Sequence, residues 1–428
     1  MRRFRVVRLR LSWERAFWVI PLVGVIAGVV LHEVVAGVDD LIAARGLTPR
    51  LVAASSASQL LGAIGGGMIT FVGFVFSFVV LILQFGSSQY SPRTVSYFLR
   101  ARSTRYILAI FLGTITFTFV GLLDVSSLGR EDFAPDAVVL VAIGLLFASL
   151  VAFIVLLHSV GSRVRVDAVL SAMGRHARGL LTERLDAATS AAAPQGHPDP
   201  QAAEHALVRS VRSGQTIGID PERLLRVASR HGLNVAVMIQ VGDAVSVGTP
   251  ILRVEGGGTS LPGGVESALR RGVVIDVERS LQYDPFYALR LLADISVRAL
   301  SPGVNDPTTS VRALDEIEGV LRVAAGARLG PWRLTSGAAQ VEGRAPTWRD
   351  VVYLGLLETI TCGADAPQVS RRLVALFDDL DPDVSDEQRT PLTELREELA
   401  GQVRAGGSST LLAAVALSPD RQGLGGRL

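Results

Sequence analysis

No lysine occurs anywhere in the 428 residues, so every one of the 42 basic side chains is arginine. That absence excludes a Walker A phosphate loop, a Schiff-base cofactor, and a carrier residue for lipoate or biotin. Cysteine is almost as scarce. The single Cys362 rules out an intrachain disulfide framework and a cysteine-built metal cage. The six histidines (His32, His158, His176, His197, His205 and His231) show no paired helical spacing of the HExxH kind. Gly-x-Ser-x-Gly and Gly-x-Gly-x-x-Gly are both missing. The acidic run from Asp378 to Glu387 lacks the central Gly and closing Glu of a calcium loop, and reads as a solvated linker between helices. No catalytic, cofactor or metal site is expected from these residues, and the chain does not read as an enzyme.

Charge is also missing where it would be most costly. Four apolar runs lie in the first 160 residues: Ala16 to Leu31, Leu60 to Phe85, Tyr106 to Leu123 and Ala137 to Leu157. A stretch of roughly 18 or more such residues is what crosses a hydrocarbon core about 30 Å thick, so the sequence predicts a polytopic membrane protein. The second run exceeds that length and must tilt or project. The first is short, with Trp13 and Trp18 as interfacial anchors at one end, and His32 and Glu33 taken to mark the other. No small-residue cleavage site follows Leu31, so it is read as a retained span.

Arginine asymmetry sets the expected orientation, because basic residues flanking spans stay in the cytoplasm. Arg2, Arg3, Arg5, Arg8, Arg10 and Arg15 precede the first run. Arg93, Arg100, Arg102 and Arg105 lie between the second and third, and Arg163 and Arg165 follow the fourth. Both termini are therefore expected in the cytoplasm of a bacterial cell, at its inner membrane. The net charge of +2, with a pI near 9.0, is concentrated beside the spans and fits lipid head groups in place of nucleic acid.

The expected organisation is a four-helix membrane domain over 1–160, an amphipathic helix and linker over 161–201, a small β-rich module with one helix over 202–265, a helical cytoplasmic region over 266–405 and a mobile tail over 406–428. The fold class is thus an α-helical membrane domain plus a cytoplasmic α+β domain with a β-sandwich-like segment. Asp220 and Pro221 start a short helix. The stretch from Asn234 to Val254 reads as short strands joined at Gly242-Asp243 and Gly248-Thr249, and Val241 to Leu252 looks like half of a lipoyl-type sandwich that cannot act as a carrier. Asp284-Pro285 and Asp306-Pro307 each start a helix. On the first of these, Tyr287, Arg290, Asp294, Arg298 and Ser301 share a stripe, so Asp294 can pair with Arg290 and Arg298 at spacings of four. That stripe is expected to face an interior or a subunit contact.

Arg279-Ser-Leu-Gln-Tyr-Asp-Pro-Phe, Arg298-Ala-Leu-Ser-Pro-Gly-Val-Asn-Asp-Pro, Phe74-Val-Phe-Ser-Phe, Ser87-Ser-Gln-Tyr-Ser-Pro-Arg and Val241-Gly-Asp-Ala-Val together resemble a bacterial family of predicted membrane proteins, domain of unknown function 2254. The resemblance spans most of residues 15 to 330 and implies architecture. It implies no activity, because the family has none assigned.

Three sets of residues are candidates for function. Gly66, Thr70, Gly73, Ser77 and Gln84 form a narrow stripe on the second span, read either as a close packing face or as a pore lining. The third span carries a similar set in Thr114, Thr118 and Gly121, against which the first could pack. Arg290, Asp294, Arg298, Asn305 and Asp306 form a candidate charge network or interface; phosphate binding there is disfavoured because Asp306 is placed to cap its own helix. Ser87, Gln89, Tyr90 and Arg93 form a membrane-boundary loop whose roles are anchoring, gating or lipid contact. With His32, Glu33 and Asp124 read at span ends, no titratable group is expected at mid-depth, which argues against a coupled transporter. The expected protein is a homo-oligomer in the lipid bilayer with a passive or gated permeation path. The alternative is a non-conducting sensor or scaffold with an unknown cytoplasmic partner.

Overall fold

The computed structural model describes residues 18–44, 54–89, 102–127, 136–187, 204–277, 279, 281, 284–406 and 409–422. The chain divides into two compact units, Met1–Arg165 and Val166–Leu428.

The first unit is built from α1 (Val19–Ala44), α2 (Ala54–Gln89), α3 (Arg102–Ser127) and α4 (Asp136–Val164). Each contains a stretch of 22 to 27 residues apolar and long enough to cross a membrane. The first helix does not stop near Leu31 but continues for three more turns. His32 is buried, and Asp39 accepts hydrogen bonds from the backbone amides of Ala137 (3.0 Å) and Val138 (3.2 Å), which open α4. Two of the orphan donors of that helix start are thereby satisfied.

Helix α3 is central and packs against the other three. Its seam with α1 is backbone on backbone: a Cβ at Gly24 would lie 2.3 Å from the Ala109 carbonyl oxygen, and one at Gly28 would lie 2.5 Å from that of Gly113. Gly24, Gly28, Ala109 and Gly113 are thus a small-xxx-small crossing, the device by which helices approach closely when lipid supplies no hydrophobic drive. Leu61, Met68, Phe111, Phe117 and Leu156 fill the interior, and Phe71 meets Phe111 and Phe153 edge to face, with centroids 5.5 and 4.9 Å apart.

The second unit begins with α5 (Val166–Ala187), followed by β1 (His205–Arg209), β2 (Gly214–Ile219), α6 (Pro221–His231), β3 (Asn234–Val237), β4 (Ala244–Val245), β5 (Pro250–Glu255), α7 (Gly263–Arg270) and β6 (Val273–Asp276). Then come α8 (Pro285–Ala299), α9 (Pro307–Gly326), β7 (Trp332–Ser336), β8 (Ala339–Gly343), α10 (Trp348–Gly363), α11 (Pro367–Leu380), α12 (Asp386–Ala405) and α13 (Thr410–Ala416). One sheet has the order β1-β5-β3-β8-β7 and the other β4-β2-β6. Val208, Val235, Val237, Leu252 and Val341 from the first share an apolar cluster with Val245 and Val273 from the second and Leu224 of α6. Local chemistry explains the turns: Gly242 and Gly248 take φ of +100° and +87°, a conformation that side chains disfavour. Asp220 caps α6 through the Arg223 amide at 2.9 Å.

Three expectations need correction. The region 266–405 is not wholly helical. It contains β6, β7 and β8, and β8 pairs in parallel with β3 about a hundred residues earlier, a contact no local pattern encodes. The stretch 406–428 is not a free tail as far as Gln422. Helix α13 buries Ala416, and Arg421 grips Asp379 at 2.6 Å. The acidic run is not simply solvated, since Asp378, Asp379, Asp381 and Asp383 each meet an arginine, respectively Arg396, Arg421, Arg389 and Arg322. Helix α12 carries Pro391 inside it, its start fixed by a capping box of Ser385 and Gln388. Of the helix and linker expected over 161–201, the part beyond Ala187 lies outside the described residues.

Helix α8 is the core of the helical body, flanked by α5, α9 and α10. Where the three helices α8, α9 and α10 meet, a buried trio of hydroxyls is linked through Ser296: Ser296 and Ser310 at 2.7 Å, with Thr359 donating to Ser296 at 3.1 Å. Helix α5 approaches α9 over Gly174 and Gly319, where Glu316 accepts from Ser171 (2.9 Å) and Arg178 (2.8 Å).

Candidate functional site

The stripe on α2 lies on the outside of the four-helix unit. Gly66, Thr70, Gly73, Ser77 and Gln84 are all exposed, and a Cβ at Gly66 or Gly73 would meet nothing within 4 Å. The hydroxyls turn inward on their own helix, Thr70 donating to the Gly66 carbonyl at 3.2 Å and Ser77 to that of Gly73 at 3.0 Å. Such back-bonding is how a helix carries hydroxyls through an apolar medium without orphaning them. The α3 set behaves oppositely. Thr114 and Thr118 are fully buried, Thr114 meets Ser149 of α4 at 3.0 Å, and Gly65 of α2 sits against Thr118. The two small-residue faces therefore do not pack on each other within one copy.

In the helical body, Arg290 pairs with Asp294 at 2.7 Å, as the spacing of four predicts, and also takes both oxygens of Glu358 on α10 at 2.5 and 2.7 Å. The hydrogen bond to Glu358 holds the guanidinium above its ordinary range, and Arg290 in turn holds the Glu358 carboxyl below the usual carboxylate range. Asp306 caps α9, accepting from the Thr309 amide at 3.1 Å, and Asn305 before it sits at φ +48°. Arg298 is half-buried on the same face as Asp294. Of the boundary loop, Tyr90 and Arg93 lie outside the described residues, as do the side chains of Ser87 and Gln89 at the end of α2. Among the described residues no group of three His, Cys, Asp or Glu side chains has the geometry of a metal site.

Two clusters went unnoticed in the sequence. Arg372 of α11, 4% exposed, bridges Asp315 (2.8 Å) and Glu318 (2.5 Å) of α9. Burial opposes its charge, yet the hydrogen bonds and charges of Glu318 and Asp315 keep it above the ordinary guanidinium range. The spacing of Asp315, Glu318 and Arg322 was a visible hint of an ionic face; the partner on α11 was not. The second cluster is His32 with Asp124, 3.6 Å apart in the membrane unit. His32, expected to mark the end of the first span, lies within the apolar stretch Val19–Ile42 and is buried. Its ring spans the side of α3 from Phe117 through Gly121 to Asp124, the last turns before the apolar stretch of α3 ends at Val125.

Four membrane-length helices joined to a mixed helical and stranded body define a class, a polytopic membrane protein. The chain belongs to the family described as predicted membrane protein (DUF2254), whose pattern it matches over residues 14–379. It is 31% identical over 327 residues to the uncharacterised protein Rv1290c of Mycobacterium tuberculosis and to the uncharacterised protein Mb1321c of Mycobacterium bovis. Each match covers 74% of this chain and 62% of the relative, so the chain spans less than two thirds of the length of those relatives. No solved structure matches it.

Proposed function

We propose that this is a multi-pass protein of the bacterial cytoplasmic membrane, with both termini cytoplasmic, whose copies associate through the Gly66, Thr70, Gly73, Ser77 and Gln84 face of α2 to form a passive or gated permeation path. The observation that carries this reading is the outward exposure of that face with its hydroxyls satisfied. The interior of one unit is filled by Phe111, Phe117, Met68 and Leu156, so a path would run between copies. The Arg290 stripe contributes less to assembly than its pattern suggested, because Asp294 and Glu358 already engage it within one chain. Residues from 166 onward would act as the regulatory domain, their two small sheets forming a sandwich-like module.

Current across planar bilayers containing the purified protein tests this directly. Discrete conductance supports it, and silence across voltage, tension and pH counts against it. The rival reading is a non-conducting sensor or scaffold, favoured by the exposed loop with Val304 and Asn305 between α8 and α9. Crosslinking in native membranes followed by mass spectrometry separates the two, since a scaffold recovers a constant partner.

A further inference from the structure

We propose that His32 is a proton-binding site inside the membrane unit, with Asp124 as its counter-charge. The ring is 2% exposed, stands edge-on to Phe117 with centroids 5.6 Å apart, and is backed by Gly121, where a Cβ would come within 3.4 Å of its Cε1. One ring nitrogen, Nδ1, is buried without a hydrogen-bond partner, and the other, Nε2, faces the Asp124 carboxylate. Asp124 itself is 42% exposed by side chain, so it joins the buried ring to the end of the bundle where α3 stops and α4 begins. Imidazole is the side chain that exchanges a proton around neutral pH, and an ionisable residue inside a span with a named partner is a functional site by default.

Carboxylates gather at this end of the described helices. The ionisable groups at this end of the described helices are Glu33, Asp39 and Asp40 on α1, Asp124 on α3 and Asp136 on α4, all acidic. Helix α2 carries no ionisable residue, and Arg102, Arg105 and His158 lie toward the opposite ends of their helices. Asp39 is engaged by the α4 amides, which leaves Asp124 as the carboxylate facing the ring. Binding adds one proton to a ring nitrogen and one positive charge, which Asp124 offsets, drawing α1 and α3 together. Loss of the proton dissolves the pair. The inference rests on the chain spanning a membrane and is independent of conduction; if the proposed permeation path exists, the site supplies its stimulus.

The test is histidine-selective ¹⁵N NMR of the full chain in lipid nanodiscs between about pH 5 and 8.5. A ring resonance that disappears in His32→Gln is expected to move with pH in that window, and its movement is expected to be displaced in Asp124→Asn. A resonance that stays in place throughout, or titrates identically in Asp124→Asn, overturns the proposal. Should His32→Gln fail to fold, a variant with the other five histidines replaced by Gln assigns the signal instead. Thermal stability gives an independent reading. The dependence of the melting temperature on pH across the window is expected to differ between the wild type and Asp124→Asn. The same dependence in both proteins would also refute the proposal.

Discussion

Arg372 shows how much a single side chain can hold. Its guanidinium joins two carboxylates of a neighbouring helix in a setting nearly closed to water, and removing it leaves Glu318, 8% exposed, and Asp315 without that partner. Arg372→Ala is expected to destabilise the second unit by about 1.5 to 2 kcal/mol, short of the full penalty for an unpaired buried charge because Asp315 keeps Arg312 and Glu318 keeps Arg322. Fluorescence-detected melting reads this conveniently, since Trp332 and Trp348 both lie in that unit. Arg290 and Glu358 make a milder case, because Glu358 is half exposed. Its carboxyl is held low in the folded state, so the stability it contributes is present above the ordinary carboxylate range and is lost as pH falls through the folded value. Arg290→Met should therefore flatten part of the decline in melting temperature between about pH 6 and about pH 3.

At the scale of elements, the closest contacts are those between helices that meet backbone to backbone. Gly24→Ala forces a Cβ to within 2.3 Å of the Ala109 carbonyl oxygen, and since neither partner is a flexible side-chain end, α1 and α3 must part. A loss of about 2 kcal/mol is expected in thermal unfolding, while Gly144→Ala, with nothing within 4 Å, should be close to neutral. Helix α4 depends on a cap from another helix. Asp39→Ala should lower the stability of the membrane unit by about 1 to 2 kcal/mol by orphaning the amides of Ala137 and Val138. Asp39→Asn, still an acceptor, should lose much less in the same melt. The sequence made the helix starts at Asp220, Asp284 and Asp306 legible because an acid before proline is a local signal. The cap at Asp39 was not legible, since its partner amides lie 98 and 99 residues away.

At the scale of the whole molecule, the arrangement of copies follows from which faces one copy leaves uncovered. With Cys362 replaced by Ser, Thr70→Cys should form a disulfide-linked dimer under mild oxidation in membranes, because facing copies would bring equivalent positions within bridging distance. Met68→Cys, on the buried side of the same helix, should not. If neither links, or both do equally, self-association through α2 is excluded.

Length and hydropathy by themselves determined that four helices are long and apolar enough to cross a membrane, because a helix in lipid satisfies its own backbone and needs only enough apolar residues to reach across. Short-range chemistry likewise determined the capped helix starts and the glycine turns of the stranded module. Tertiary structure alone decided which small-residue face turns inward, where β8 finds its partner, and that α1 carries a histidine deep into the bundle. Each of these depends on groups brought together from distant parts of the chain, and the free energy that selects them arises only on contact.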